Sequence, residues 1–443
     1  MRLFLASLLA LSLFPACAQT SGSALSLDPK TVDTLGADLY QNTGATGLVL
    51  VVVRGNQVYF RGYGETVPGS GVTPSADSLV RLCSLTKIFT SDMLAKLVND
   101  GAVHLDDPLQ RYAPAGVAVP AQGTPITLLD LATHTSGLSR EIGTAPRGAP
   151  HFTYPDYATR WAWLPRQHLI FEPGSSALYS NIGYDLLGDA LGNAAHAAYP
   201  ALLNERTLRP LGMRDTTFFP SDQQCTRLMS SSRHSRCTVT VNTAGSSGLY
   251  STPADMALWL KYLLGSAAPA IPAQADDAHA IYLLPSALRL QSGLNHAGRP
   301  AGIGLGWMHL GANDDPAHLI EKTGGGAGFT TYIVLHPASH TALFVAATDG
   351  PPRRGATYFN IFKGANNAVL ALAGLPPLAD DPRRPPARVR ARMLARAAQH
   401  SRTAHHTRAA RVSVKTHTRS AAHKPAHKST HKPATGTAKK RRR

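Results

Sequence analysis

The chain has 443 residues, and its 44 Lys and Arg against 27 Asp and Glu give a formal net charge of +17. Residues 382–443 contain 19 of these basic residues and no acidic ones, so the remaining 25 basic residues nearly balance the 27 acidic ones. The length allows a sizeable core in one large fold or in two to three domains, and the charge distribution excludes a generally basic folded domain.

The N-terminal segment has the pattern of an export signal. "MRLFLASLLALSLFPACAQ" carries one arginine, an apolar run from Leu3 to Phe14, and then Ala-Cys-Ala, the small-x-small form of a signal-peptidase site. The apolar run is too short to span a bilayer well. We therefore expect a signal peptide at residues 1–18, cleaved after Ala18, and a periplasmic protein. Lipid attachment at Cys17 is the competing interpretation, for which "LFPAC" is a poor motif.

Three cysteines remain after this cleavage. In an oxidising compartment the closely spaced Cys225 and Cys237 are candidates for a disulfide that closes a small loop. Cys83 has no such partner and lies among apolar residues, which is typical of a small buried side chain rather than a nucleophile. No Cys or His spacing resembles a zinc site, so no metal is expected. No other cofactor is expected either.

Strands are predicted near both ends of the folded part and helices between them. Residues 46–65 predict a hairpin that turns at Gly55-Asn56. Apolar side chains at helical spacing then predict a helix over 85–101, which stops at Gly101. The later elements, in chain order, are helices at 126–133, 182–193, 199–210 and 253–264, a strand at 302–310 and a hairpin at 331–349 around Pro337.

These elements predict an α+β fold in which both chain ends form an antiparallel sheet flanked by helices. Residues 30–110 and 250–378 are expected to form this α/β part, and residues 111–249 an inserted, mainly helical lobe. From residue 382 the composition changes to Arg, His, Lys, Ala, Pro, Ser and Thr, with the degenerate repeat "AHKPAHKSTHKPA". Such a segment cannot bury enough apolar surface to offset its ordering entropy, so 382–443 is predicted to be a disordered basic tail.

The segment "RLCSLTKIFTSDM" places Ser84 three residues before Lys87 at the start of the predicted helix. Residues at this spacing share a helix face, so the lysine amine can reach the serine hydroxyl. A serine becomes a nucleophile when a neighbouring base takes its proton, and a lysine with a lowered pKa can be that base. Alone, however, the spacing is more typical of a solvated helix face, and Ser429 and Lys432 in the tail also match it.

Two distant segments change the interpretation of this pair. "LYSNIGYDLLGDAL" places Tyr179 and Asn181 just before a helical run, and "IEKTGGGAGFTTYIVL" places Lys322, Thr323 and Gly324 at the start of a strand. Tyr-x-Asn occurs at other places in the chain, whereas Lys-Thr-Gly occurs once. The combination of Ser-x-x-Lys, Tyr-x-Asn and Lys-Thr-Gly is therefore the specific signal.

In this order the motifs resemble those of the penicillin-recognising serine hydrolases, which comprise the serine beta-lactamases and the D-alanyl-D-alanine peptidases. The Tyr-x-Asn form is similar to class C and its peptidase relatives, rather than to the Ser-Asp-Asn of class A. The resemblance extends over roughly residues 35–375 through segments such as "ITLLDLATHTSGL" and "SSGLYSTPADMALWL", and it leaves out the tail. It implies a beta-lactamase/transpeptidase-like fold.

The resemblance also implies a catalytic role for several residues. Ser84 would be the acylated nucleophile, Lys87 its hydrogen-bonded partner, and Tyr179 the group that passes a proton between nucleophile and leaving group. The backbone N–H groups of Ser84 and Gly325 would form the oxyanion hole. His134 in "THTSG" is expected to be structural, because the lysine and tyrosine already supply proton transfer.

The remaining motif residues would bind substrate. Asn181 would hold the substrate amide, and Lys322 with Thr323 and Gly324 would meet a substrate carboxylate or orient the tyrosine. The glycines that follow favour close approach of the backbone to a substrate, with a flexible strand edge as the plainer alternative.

The implied activity is that of a serine D-Ala-D-Ala carboxypeptidase/endopeptidase that acts on peptidoglycan stem peptides through an acyl-enzyme and binds beta-lactams. Two alternatives stay open. One is a class C-like beta-lactamase or esterase, which would differ in how fast the acyl-enzyme is hydrolysed. The other is a non-catalytic penicillin-binding envelope protein.

The basic tail resembles histone-like segments in composition, but export removes nucleic acid as its expected partner. Two interpretations of residues 382–443 remain. The tail adheres to anionic envelope polymers or lipids, or it is a solvated extension without a specific partner.

Overall fold

A seven-stranded antiparallel sheet forms the centre of the computed structural model, which describes residues 27–231, 236–266, 278–350 and 359–378. The strands in chain order are β1 Gly47–Arg54, β2 Gln57–Gly64, β3 Val80–Arg81, β4 Ala121–Gln122, β5 Thr124–Pro125, β6 Ala177–Leu178, β7 Tyr250–Ser251, β8 Gln291–Ser292, β9 Gly302–Ile303, β10 Met308–Leu310, β11 Leu319–Gly326, β12 Phe329–His336 and β13 Thr341–Thr348. The large sheet has the order β2-β1-β13-β12-β11-β10-β9.

Helices cover both faces of this sheet and extend beyond it. They are α1 Pro29–Thr43, α2 Thr86–Asn99, α3 Leu128–Ala132, α4 Tyr157–Trp163, α5 Asn181–Ala194, α6 Tyr199–Leu203, α7 Arg209–Leu211, α8 Asp222–Cys225, α9 Pro253–Leu263 and α10 Phe359–Leu372. Among the described residues, none of the helices combines the length and apolar character needed to cross a membrane.

Strand β1 shows how the sheet joins the two ends of the chain. It pairs with β2 on one side, as the hairpin predicted at 46–65 requires, and with β13 on the other, which joins the two chain ends. Successive side chains of a strand point to opposite faces. In β1 these alternate between a core shared with α1 and α10 and a second core shared with α2 and α9. Burial on both faces explains the nearly continuous apolar run in "GLVLVVVR".

Two predicted elements differ from the structure. The strand expected at 302–310 is two short strands, β9 and β10, which pair with each other. A tight turn separates them because Gly306 has a φ of +75°, and a Cβ atom there would lie 2.6 Å from Tyr184 Oη.

The helix expected over 199–210 is also interrupted. It consists of α6 and α7 separated by a wider turn, Asn204–Leu208. Pro210 has no N–H to donate to the carbonyl of Arg206, and that carbonyl instead accepts a bond of 3.3 Å from Lys96 Nζ.

Cys225 and Cys237 form a disulfide, which is the pairing expected from their spacing. The division into an α/β part and a lobe at 111–249 stays a prediction. The proposed signal peptide at 1–18, including Cys17, and the basic tail at 382–443 lie outside the described residues.

Buried polar groups hold α4 against α5. The guanidinium of Arg160 donates two hydrogen bonds of 2.6 Å to the carboxylate of Asp189, which also accepts one of 2.8 Å from Trp161 Nε1. The side chains of the ion pair are 6% and 9% exposed. Since such a charge has little access to water, each partner depends on the other.

Replacing Arg160 with Met is expected to lower the free energy of unfolding by about 3–5 kcal/mol, because Asp189 would be left as an unpaired buried charge. Urea unfolding followed by circular dichroism measures this loss. The matched control is Arg61→Met, which breaks an exposed ion pair with Asp33. The control should lose much less stability, and equal losses in the two variants would contradict the importance of burial.

Candidate active site

Ser84 lies in a short 3-10 turn, Cys83–Leu85, that leads from β3 into α2. The turn is held against the sheet, because Thr331 Oγ1 donates a hydrogen bond of 2.9 Å to the carbonyl of Leu82. Gly324 permits this close contact, since a Cβ atom there would lie 2.2 Å from Thr331 Oγ1 and 2.9 Å from the Leu82 oxygen. The glycine of the Lys-Thr-Gly motif therefore brings β11 beside the serine.

The neighbouring Cys83 is fully buried. Its φ of +52° is uncommon for a residue with a side chain, and its Sγ lies 3.4 Å from the carbonyl oxygen of Gly326. Burial raises the pKa of the Cys83 thiol to about 12. The thiol is therefore a packing group at neutral pH, and Ser84 is the partly exposed member of the pair.

Lys87 lies in the first turn of α2 with its side chain completely buried. Its Nζ donates hydrogen bonds of 2.7 Å to Asn181 Oδ1 and 2.8 Å to the carbonyl of Ser246. Within the described part of the chain, these bonds take the place of the direct bond to Ser84 that the sequence suggested. Burial lowers the pKa of Lys87, which favours the neutral amine that a general base requires.

Tyr179 follows β6 and is surrounded by cationic groups. Lys87 Nζ lies 4.9 Å and Lys322 Nζ 5.0 Å from the centre of its ring, and Arg140 Cζ lies 4.8 Å from the same point. Cations within about 6 Å of an aromatic ring are attracted by its electrons. The phenol is therefore held where positive charge stabilises any negative charge that develops on it.

Lys322 and Thr323 lie in the middle of β11 rather than at its start, which corrects the expectation from sequence. Lys322 is buried, and desolvation lowers its pKa. Thr323 is half-buried and Gly325 is exposed. Gly325 pairs with Thr330 on β12, whereas the pairing of β10 with β11 covers residues 319–321. Among the described strands, the other edge of β11 therefore has no strand partner at Gly325.

Asn181 is held at the first position of α5. Ser180 caps this helix by accepting a bond of 2.9 Å from the N–H of Gly183, and the N–H of Asn181 donates to the carbonyl of Arg140 at 3.0 Å. The side-chain amide of Asn181 donates to Glu141 while its oxygen accepts from Lys87. The asparagine thus connects the lysine with the loop that follows α3.

His134 has the structural position that the sequence suggested. It is buried, its Nδ1 accepts a hydrogen bond of 3.1 Å from the N–H of Ser180, and its ring centre lies 4.4 Å from that of Tyr179. Burial holds the pKa of His134 well below its ordinary value. The neutral ring therefore packs against Tyr179 and fixes its position.

The structure brings together Lys87, Tyr179, Asn181 and Lys322, with Ser84 on the turn beside them. Sequence reasoning missed Arg140, Glu141 and Ser246. The first two belong to no motif, and Ser246 begins the segment "SSGLYSTPADMALWL" without a role having been assigned to it. The only available signal for the first two was their place just after "THTSG", in a loop between predicted helices. Among the described residues, no group of three or more His, Cys, Asp or Glu side chains is arranged to hold a metal ion.

Comparisons with known proteins agree with this architecture. The chain matches the family described as Beta-lactamase over residues 32–365. The D-alanyl-D-alanine-carboxypeptidase/endopeptidase AmpH of Escherichia coli (strain K12) is 44% identical to it over 352 residues, which cover 78% of this chain and 90% of AmpH.

The chain is also similar to solved structures. The beta-lactamase/D-alanine carboxypeptidase from Yersinia pestis, complexed with citrate, is 41% identical, with a TM-score of 0.74 and coverage of 78% of this chain and 98% of that one. A class C beta-lactamase in complex with cefoxitin is 20% identical, with a TM-score of 0.63 and coverage of 77% and 98%, and it shows likeness of fold alone. These findings confirm the resemblance inferred from the motifs and the predicted fold class.

Replacing Ser84 with Ala is expected to abolish covalent labelling by a fluorescent penicillin, because the acyl group would have no hydroxyl to bind. Labelling is read by gel fluorescence after denaturation. Cys83→Ala is the matched control, since it removes the adjacent reactive atom and should still be labelled. Labelling that persists in Ser84→Ala and disappears in Cys83→Ala would instead make Cys83 the nucleophile.

Proposed function

Because the chain belongs to the beta-lactamase family, we propose that it is a serine D-alanyl-D-alanine carboxypeptidase/endopeptidase that cleaves peptidoglycan stem peptides and binds penicillins. The observation that carries this proposal is the 44% identity to AmpH over most of the length of both chains. The cluster around Tyr179 supplies the groups that such a reaction needs, namely a nucleophile, a proton shuttle and cationic anchors.

In the proposed reaction, Ser84 Oγ adds to the carbonyl carbon of the scissile amide while its proton passes to Lys87 or Tyr179. The C–N bond then breaks, and Tyr179 passes a proton to the leaving amine of D-alanine or of the cross-linked peptide. Water hydrolyses the resulting ester and restores the Ser84 hydroxyl. The lowered pKa of Lys87 supports the first step, because a neutral amine can accept a proton.

Backbone and cationic groups have separate tasks in this proposal. The N–H groups of Ser84 and Gly325 stabilise the oxyanion, and such preorganised donors commonly contribute about 3 kcal/mol each to the transition state. Lys322 and Thr323 meet the terminal carboxylate of the substrate. Arg140, whose side chain is 56% exposed, is an additional cation beside the tyrosine that would attract the same anionic end.

Three substrates tested in parallel distinguish the proposed peptidase from its alternatives. Purified protein receives muropeptides ending in D-Ala-D-Ala, muropeptide dimers with D-Ala cross-links, and a penicillin, with Ser84→Ala as the control. We expect free D-alanine from the first and monomers from the second, with slow turnover of the penicillin. Mass spectrometry of the products measures all three reactions.

Other outcomes of this experiment would replace the proposal. Rapid loss of penicillin with intact muropeptides would identify a beta-lactamase. Stoichiometric labelling without turnover of any of the three would identify a penicillin-binding protein without catalysis.

The substrate and the signal-like N-terminus both support a periplasmic location. The basic segment 382–443 would then adhere to anionic envelope polymers or lipids and keep the enzyme near its substrate. Its 19 Lys and Arg with no Asp or Glu support this, because clustered cations bind anionic surfaces with an affinity that salt reduces.

Deleting residues 382–443 is expected to lower retention of the protein on isolated envelopes, because the cationic charge is lost. The control keeps the length of the tail but replaces its Lys and Arg with Ser, and it should be lost from envelopes to the same extent. Sedimentation at increasing salt concentration measures retention. Equal retention of the full chain and both variants would contradict adhesion.

A further inference from the structure

A buried carboxylate lies next to the site without a role in the proposed reaction. Asp185 is on α5, one turn after Asn181, and is 2% exposed. Its Oδ1 has no hydrogen-bond partner among the described residues. Burying a carboxylate without a full set of partners is costly, so a stabilising role for the fold does not explain it.

Ser246 connects this carboxylate with the catalytic lysine. Its carbonyl accepts the bond of 2.8 Å from Lys87 Nζ, while its hydroxyl lies beside the carboxyl group of Asp185 and favours the charged form. One residue therefore contacts Lys87 through its backbone and Asp185 through its side chain.

The segment that carries Ser246 is fixed between α2 and α5. The carbonyl of Gly245 accepts a hydrogen bond of 2.8 Å from Thr90 Oγ1 on α2. On the side of α5, a Cβ atom at residue 245 would lie 2.1 Å from the carbonyl oxygen of Tyr184, so only glycine permits this approach. Lys87 and Asp185 thus lie on two helices that meet at the same short segment.

For both Lys87 and Asp185, a charged neighbour opposes the effect of burial on the pKa. Burial lowers the pKa of Lys87, and among the charged neighbours Asp185 does most to raise it. Burial raises the pKa of Asp185, and Arg160 and Lys87 lower it. The other titratable or charged groups that act on this pair or lie around it are Cys83, His134, Arg140, Glu141, Tyr179, Tyr184, Asp189, Tyr199 and Lys322.

We propose that Asp185 is a positioning residue for acyl transfer, the counter-charge that acts with Ser246 to stabilise the ammonium that Lys87 becomes when it accepts the proton of Ser84. This inference rests on the proposed function, because it is there that Lys87 becomes the base. Asp185 itself touches neither substrate nor the reacting atoms and acts through the lysine.

Asp185→Asn tests this role with little change of side-chain volume. The measurement is the rate of acylation of the purified full chain by a fluorescent penicillin as a function of pH. The acidic limb of this profile is the pH range in which the acylation rate falls as Lys87 becomes protonated. In Asp185→Asn this limb should move to lower pH by about one unit, because the carboxylate that stabilised the lysine ammonium is gone. A purely structural role for Asp185 would lower the rate or the yield of folded protein without moving the limb.

Asp92→Asn is the matched control. Like Asp185, Asp92 is a buried carboxylate, but it lies on α2 and pairs with Lys96 at 2.8 Å. Its replacement should therefore reduce stability and leave the acidic limb of the pH profile in place. Ser246→Ala decides the question if Asp185→Asn does not fold. It keeps the carbonyl that binds Lys87 and removes the hydroxyl that favours the charged carboxylate, so a smaller shift in the same direction is expected.

The proposed function and the role of Asp185 fail in different ways. A wild-type chain that no penicillin acylates would refute the acyl-transfer function. A wild-type chain that is acylated, with a limb that Asp185→Asn leaves unchanged or moves to higher pH, would refute the positioning role alone.

Discussion

The burial of two lysines beside one tyrosine is the constraint on which the rest of the site depends. Lys87 and Lys322 are both almost inaccessible to solvent, and both amines lie about 5 Å from the centre of the Tyr179 ring. A buried amine loses its hydration, so it must find acceptors within the protein or give up its proton. Lys87 obtains two acceptors, Asn181 Oδ1 and the Ser246 carbonyl, from segments far away in the chain. Two helices, one strand and a loop must therefore meet at one point.

These segments can approach one another because two of the contact positions are glycines, which have no side chain. Gly324 lets β11 approach the turn that carries Ser84, and Gly245 lets the segment before Ser246 approach α5. A methyl group at either position would lie well inside the contact distance of a neighbouring oxygen atom. Close backbone contacts therefore fix the segments that carry the lysines, the tyrosine and the asparagine of the site.

The elements that could be predicted from sequence are those whose signals are local. The two hairpins and the helices at α2, α5 and α9 follow from the spacing of apolar residues and from turn residues, and the structure contains them. The interruptions at 204–208 and 304–307 were missed. At the first, Pro210 leaves a carbonyl that Lys96 binds, and at the second, Gly306 is packed against Tyr184. Both depend on partners from distant segments, which periodicity does not reveal.

The sequence by itself determined the residue types of an acyl-transfer site and its family, because three short motifs in a given order rarely arise together. Only the tertiary structure decided which groups surround these residues. It made Cys83 a buried thiol with a raised pKa, gave Lys87 the partners Asn181 and Ser246, and placed Arg140 over Tyr179. It also put Asp185 next to that network. The physical reason is that desolvation and charge pairing depend on which atoms surround a group in space, and those atoms come from segments that are far apart in the chain.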